Sequence, residues 1–413
     1  MGLTMVERKA VTKETVARYL RASKKGKGRI LDELCALTGW NRDHARRALR
    51  QAAGGPKPRK PRRQALVYGP ELTAPLAKVW ATLDGPCGKR LAPFMEEIVG
   101  VLQRFGELEL GPRERELLLC MSAATIDRRL KGARRGLELK GRSGTKPGTM
   151  LKHQIAIRTF AKWDEDRPGF LEIDLVGHEG GNPSGDFCQS LDMTDVATGW
   201  TEVRAVKNKA QRWVFEALQA AQADLPFPLA GIDSDNGSEF INDELYRYCT
   251  QRAITFTRSR PHRKNDSCYV EQKNWSVVRR AVGYLRYDTD AELAVLQDLY
   301  GHLRLWVNFF SPQMKLKDKT RQGARVTKHY DVARTPYQRV LASSEVSANA
   351  KAALTRQYRT LNPAQLKRDI GRCQDRLLKQ AKLKEDRRRK EVRSATASRA
   401  LSVRQRSPRS RAS

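Results

Sequence analysis

The chain has 413 residues, enough for two to four domains, and carries 79 Lys and Arg against 46 Asp and Glu, a formal charge of +33. Such an excess points to polyanionic partners, nucleic acid first. No apolar run approaches the ~18–20 residues of a membrane span. The N-terminus lacks a signal-peptide core, and the seven cysteines form no Cys-x-x-Cys pair, which sets aside a secreted disulfide scaffold and a structural zinc site and fits a reducing cytosol.

Residues 1–52 read as an N-terminal helix-turn-helix DNA-binding domain. Val16, Tyr19 and Leu20 stripe its first helix, and Ile30, Leu31, Leu34 and Leu37 its second. Gly39 ends the second helix and Asn41 caps a third, basic outside and carrying Ala45 and Leu49 inside. A helix, a Gly-containing turn and a basic helix form the pattern whose second helix enters a major groove, with Arg42 and Arg46 as candidate readers. The plain alternative is a small bundle with a solvated basic face. Residues 53–70, rich in Gly, Pro, Lys and Arg, read as a basic linker. Residues 71–136 read as a second helix-turn-helix-like, helical DNA-binding domain. Leu76, Val79, Trp80, Leu83, Phe94, Ile98, Val99 and Leu102 are its apolar stripe. Ser122 caps a short last helix with Ile126 and Leu130 inward and Arg129 outward. A second basic linker spans 137–154, and apolar alternation at Ile155, Ile157 and Phe160 follows.

From 155 to 312 the pattern is α/β. Strands are expected near 170–176, 186–193, 200–206, 229–233 and 254–257. Helices are expected from Asn208 to Ala223, Asn242 to Gln251, Asp266 to Tyr284 and Ala291 to Asn308. Residues 313–382 form a C-terminal extension with helices. Tyr330, Tyr337 and Leu341 are expected to pack on the core, around either small β-structure or an arm across DNA. Leu366, Ile370, Cys373 and Leu377 repeat at helical spacing, suited to a partner coiled coil or to the same chain. Residues 383–413 read as a basic disordered tail.

Three pieces of the α/β region carry chemistry: Glu172-Ile-Asp174, Asp233-Ser-Asp235-Asn-Gly237 and Tyr269-Val-Glu271. A strand, a strand end and a helix each offer a carboxylate, and oxygen-only ligands suit a hard cation such as Mg²⁺ or Mn²⁺. Asp233, Asp192, Glu172 and Glu239 are competing acidic residues. His178 is either a phosphate or metal-water contact or a loop histidine without a role.

The phrase Asp235-Asn-Gly-Ser238, with Glu271 placed 35 intervening residues later, resembles the catalytic core of the retroviral-integrase and DDE-transposase superfamily, in particular bacterial insertion-sequence transposases. The resemblance implies a ribonuclease-H-like catalytic core, a mixed five-stranded sheet with helices, preceded by all-α helix-turn-helix units and followed by a helical, basic tail. It implies a DNA transposase that binds the ends of a mobile element and performs metal-dependent strand cleavage and transfer, with Asp174, Asp235 and Glu271 both catalytic and metal-binding. Two Mg²⁺ (or Mn²⁺) ions per active site are expected, Asp174 bridging them. Expected partners are double-stranded DNA, both element ends and target, and a second copy of the chain on DNA, with no membrane, in the bacterial cytoplasm at the nucleoid. His262, Arg263, Lys264, Asn265 and Lys273 are expected DNA contacts, and Arg279 and Arg280 stand near where retroviral integrases carry DNA-contacting lysines. The alternative is a DNA-binding regulator on an inactive integrase-like core.

Overall fold

The computed structural model describes residues 3–54, 68–134, 156–157, 167–235, 237, 239–259 and 268–405. Most of both basic linkers, Asn236, the loop His262–Asn265 and residues 406–413 lie outside the described residues. The chain divides into two units, Met1–Val67 and Tyr68–Ser413, each with its own core.

The first unit has three helices: α1 (Met5–Arg21), α2 (Lys24–Thr38) and α3 (Arg42–Ala53). Thr4 and Glu7 bond each other's backbone at the start of α1, a reciprocal cap that begins the helix earlier than its apolar stripe suggests. Gly39 closes α2 at φ +69°, a left-handed angle that suits glycine, and the Asn41 side chain accepts from His44 N at the start of α3. Leu31, Leu34, Ala45 and Leu49 make the core, with Val16 and Tyr19 packed on it. Leu20 and Leu37, expected inside, are 57% and 60% exposed, because so small a core reaches one narrow stripe of each helix.

The second unit opens with one 3₁₀ turn and then α4 (Thr73–Thr82), α5 (Gly88–Leu91), α6 (Met95–Arg104), α7 (Pro112–Leu119), α8 (Ala123–Arg129) and α9 (Lys131–Arg134). Gly88 lets α5 meet α8, since a Cβ there would stand 2.1 Å from the Ala123 carbonyl oxygen. This helical stretch was expected to be a domain of its own. Instead its apolar residues join one continuous core with the sheet that follows.

That sheet runs in the order β1-β6-β5-β2-β3-β4: β1 (Ala156–Ile157), β2 (Phe170–Gly177), β3 (Gln189–Asp195), β4 (Thr201–Val206), β5 (Gly231–Ser234) and β6 (Thr255–Arg258). β2, β3 and β4 form an antiparallel meander, and β5 and β6 run parallel to β2. The five expected strands are present, and the short β1 adds a sixth at the edge. α10 (Gln211–Ala223) and α11 (Asp243–Gln251) bury Val214, Leu218 and Leu245. Asn208 does not cap α10 directly: its side chain accepts from Ala210 N, making the turn that precedes the helix. The helix expected from Asp266 to Tyr284 is described from Cys268 as α12 (Cys268–Lys273), a π-helical stretch (Asn274–Arg279) and α13 (Arg280–Val282). α14 (Asp290–Phe310) is the longest core helix. Arg304 on it holds the buried Glu202 of β4 through two bonds of 2.6 and 2.8 Å.

After the core come a hairpin of β7 (Leu316–Gln322) and β8 (Arg325–Tyr330), then α15 (Pro336–Ala342), α16 (Ala348–Thr360) and α17 (Pro363–Gln405). Tyr337 is buried, whereas Tyr330 is exposed. The stripe Leu366, Ile370, Cys373 and Leu377 is buried as α17 packs on α14 of the same chain. Where a disordered tail was expected, the helical backbone continues to Gln405. Lys, Arg, Glu, Gln and Ala are good helix formers, and no proline interrupts them before Pro408.

Candidate active site

The pleat of β2 puts Glu172 and Asp174 on one face of the sheet. Register then sets Asp174 opposite Asp192 of β3, and Glu172 beside Asp233 of β5, itself beside Thr257 of β6. A polar stripe therefore crosses four strands, all of them interior to the six-stranded sheet. β3 is buried along its whole length yet carries Ser190, Asp192 and Thr194 on this face. Burying such groups is costly unless they are paired: Ser190 bonds His178 and Tyr300 and Thr194 pairs with Thr201, whereas Asp192 Oδ2 has no hydrogen-bond partner.

Helix α12 closes over the stripe. Glu172 accepts from Tyr269 N (2.8 Å) and Val270 N (3.0 Å), tying the first turn of α12 to β2. Negative charge suits a helix N-terminus, so Glu172 both anchors and orients the turn that carries Glu271. Asp235 stands just past the end of β5, and its carboxylate accepts from Gly237 N at 2.8 Å, a local turn that fixes its direction. Asp174 accepts from Leu175 N (2.8 Å) and from Asn274 Nδ2 (2.6 Å), the first residue of the π-helical stretch. Irregular turns of this kind recur at functional sites.

Burial first, and then the negative charges of Asp235 and Glu271, push the Asp174 carboxyl up to about 7, while Asn274 and Leu175 N pull the other way. Asp235 and Glu271 thus both act on Asp174, and the three sequence-selected carboxylates are neighbours. Among the described residues, no three His, Cys, Asp or Glu side chains stand at ligand spacing as they are. Two acceptor oxygens beside Asp174, Asp192 Oδ2 and Asn274 Oδ1, are buried without a hydrogen-bond donor. A buried carboxylate raised by its acidic neighbours, next to acceptors that lack donors, marks a cluster short of positive charge.

Lys273 was expected on DNA. It is 8% exposed, turned into the fold with Nζ 3.4 Å from the Gly199 carbonyl oxygen, and its charge acts on Asp192. Burial lowers the lysine and raises the aspartate, and their mutual attraction opposes both shifts. Arg129 was expected to read DNA as well. Its guanidinium instead donates to Tyr68 O (3.0 Å), Gly69 O (2.6 Å) and Thr73 Oγ1 (3.0 Å), stapling α8 to the start of the unit. Arg279 donates to Gly177 O, and Arg280 pairs with Asp84, so neither side chain is uncommitted. His178 is fully buried, with Nε2 2.7 Å from Ser190 Oγ, and burial holds its pKa down at about 3. It is a core residue. Arg42 pairs with Asp32 and Arg46 with Asp43, both on the surface of the first unit. His262, Arg263, Lys264 and Asn265 lie outside the described residues.

Sequence reasoning treats Asp192 and Glu172 as competitors and places Asn274 among the neighbours that face DNA, whereas Asn274 bonds Asp174. The Asp192 signal was present as alternate polar residues along Ser190-Leu-Asp-Met-Thr194. The Asn274 contact depends on the π-helical turn, which no apolar period announces.

The integrase core domain family model matches residues 165–264, which span β2 to the segment after β6. The uncharacterized protein y4rM of Sinorhizobium fredii (strain NBRC 101917 / NGR234) is 40% identical over 330 residues, 79% of this chain and 93% of that protein. The chain belongs to the integrase-core superfamily. Its five principal strands and their helices are the ribonuclease-H-like fold of that superfamily. Two solved integrase cores are also similar. The HTLV-2 integrase catalytic core in complex with magnesium shares 19% identity, with 35% of this chain and 90% of that one aligned at a TM-score of 0.28. The BIV integrase core shares 15%, with 41% and 91% aligned at 0.26. In this integrase-core chain, the polar stripe of β2, β3 and β5 lies inside the matched region, and Glu271 follows it. Among the described residues, no helix is long and apolar enough to cross a membrane.

Proposed function

We propose that this protein is a DNA transposase that binds the ends of a mobile element and cuts and joins DNA strands, with Asp174, Asp235 and Glu271 as its metal-binding catalytic set. The observation that carries the reading is that buried Asp174 feels the charges of both Asp235 and Glu271 beside acceptors without donors. An all-oxygen set of this kind fits Mg²⁺ or Mn²⁺. When bound, such ions activate a water or 3′-hydroxyl and stabilise the leaving oxygen of an in-line displacement at phosphorus. The chain's own residues hold the set in place. Glu172 fixes the α12 turn under Glu271, Gly237 N aims Asp235, and Asn274 holds Asp174. Asp174 would hold such an ion through the lone pairs that its bonds from Leu175 N and Asn274 Nδ2 leave open.

The first unit is proposed to read the element ends through α3, whose Arg42, Arg47 and Arg50 are exposed while Ala45 and Leu49 face inward. Surface ion pairs such as Arg42–Asp32 contribute only about 0–1 kcal/mol, so phosphate can displace them. Joining two ends needs two catalytic sets, so the working form is at least a dimer on DNA, in the bacterial cytoplasm. The alternative, a regulator on an inactive core, draws on the bond from Asn274 that occupies Asp174.

Cleavage of end-containing duplex in Mg²⁺ decides between them. Wild type is expected to cut, and Asp174→Asn and Glu271→Gln to lose cutting by at least 1,000-fold, about 4 kcal/mol of barrier, while binding duplex as before. Cutting by Glu271→Gln at the wild-type rate, or full cutting in excess EDTA, refutes the assignment. Wild type that binds ends and never cuts favours the regulator.

A further inference from the structure

The hairpin β7–β8 is a strongly charged element of the described second unit whose strands rest on no other element. All residues of both strands are exposed, so neither face rests on a core. An isolated two-stranded hairpin is marginal in water, and this one also opposes like charges. Lys319 stands directly across from Lys328, an arrangement that is destabilising by itself. Arg321 shares their face, and Lys317 and Arg325 add to the excess against Asp318 alone. Gly323 at φ +60° lets the strands turn in two residues.

The root is as firm as the tip is bare. Lys315 N donates to Asp331 Oδ1 at 2.6 Å and Asp331 N to Lys315 O at 3.0 Å, while Arg339 pairs with Asp331 at 2.7 Å. Gln313 and Arg334 bond each other's backbone in both directions. Lys315 Nζ also donates to Ala197 O, in the turn after β3, and lies 6.0 Å from the centre of the Tyr269 ring, two residues before Glu271. The ribbon therefore springs from beside the Glu271 turn, and seven residues carry it about 23 Å outward.

We propose that β7–β8 is an arm that grips duplex DNA flanking the active site. The proposal rests on the reading of the chain as a DNA-processing enzyme and names the surface that reading lacks. A two-stranded ribbon fits a major groove, and phosphates between Lys319 and Lys328 turn their repulsion into attraction. The firm root fixes the angle at which duplex leaves the site.

The test uses the full-length protein and a non-specific duplex, followed by fluorescence anisotropy between 50 and 300 mM salt. The variant Lys317→Ser, Lys319→Thr, Arg321→Thr, Arg325→Thr, Lys328→Thr is expected to bind at least tenfold more weakly. Its plot of log affinity against log salt is expected to flatten by up to about 4.5, since each of the five lost phosphate contacts removes about 0.9. Lys319→Glu guards against a folding artefact: it creates a cross-strand ion pair with Lys328, which firms the ribbon, yet is expected to weaken DNA binding. Unchanged affinity and slope in both variants overturn the proposal. So does altered self-association with unaltered DNA affinity, which makes the ribbon a contact between copies. Wild type that binds no duplex overturns this proposal and the DNA-processing reading together, whereas normal wild-type binding with silent variants sinks the ribbon alone.

Discussion

At the scale of single residues, the site depends on side chains that support the three carboxylates. Glu172→Ala removes the acceptor of two N-terminal amides of α12 and leaves them without a partner, a loss of about 1–3 kcal/mol locally. The expected outcome is a folded protein whose cleavage rate falls at least tenfold while duplex affinity holds. Unchanged cleavage in a matched assay removes Glu172 from this role. His178 gives a pH signature. Its pKa falls from the usual 6.5 to about 3 on folding, so the unfolded chain binds more protons between these values. The neutral imidazole therefore contributes stability that is complete above pH 6.5 and lost as pH falls toward 3. In wild type this is worth about 2 kcal/mol between pH 6.5 and 5, at 1.36 kcal/mol per unit. His178→Gln is expected to be less stable at pH 7 and to lose that much less on acidification, read from urea midpoints at pH 7 and pH 5. Equal acid shifts in the two proteins would contradict the buried neutral ring. Asp174, Asp235 and Glu271 were singled out in the sequence by a strand period, a turn phrase and the spacing that the resemblance carries, and the structure lets Asp235 and Glu271 both act on Asp174. The burial of Lys273, Arg129 and His178 could not, because a basic side chain reads the same whether its partner is phosphate or a carbonyl oxygen across the fold.

At the scale of elements, strands and amphipathic helices were legible because their periods are short and local. The stripe of α17 was visible, but its partner was not, since a coiled coil and an intramolecular seat need the same spacing. The seat on α14 makes a prediction. Ile370→Ala, which opens a cavity at a site 1% exposed, is expected to cost about 2–5 kcal/mol and to lower the melting temperature of the second unit. Truncation after Glu391 removes only helix beyond the last packed residues and is expected to leave that temperature unchanged. If Ile370→Ala is silent, α17 is not seated on α14 in solution. Lys384, bonded to Asp288, Glu292 and the Arg286 carbonyl, marks the last turn held to the body.

At the scale of the whole molecule, the divide falls at residue 67, not near 136. The sequence suggested two similar helical units because both contain capped, basic last helices. What separates them is how much apolar surface each must cover. The first closes on a few residues, whereas Trp80, Phe94 and Ile98 are covered only with the rest of the second unit. A fragment of residues 1–67 is therefore expected to be helical and monomeric by circular dichroism and gel filtration. A fragment of residues 1–150 is expected to associate or aggregate through its uncovered face. A monomeric, cooperatively melting 1–150 fragment would restore the boundary expected from sequence.

The pairing of Asp84 with Lys367 spans 283 positions, and that of Glu97 with Tyr358 spans 261. A ribosome adds roughly 5–20 residues each second, so roughly a quarter of a minute to a minute passes between the synthesis of the two halves of one contact. Throughout that interval the helices before the sheet exist with their apolar side open. Part of that apolar side therefore stays uncovered in the nascent chain until its last quarter is made.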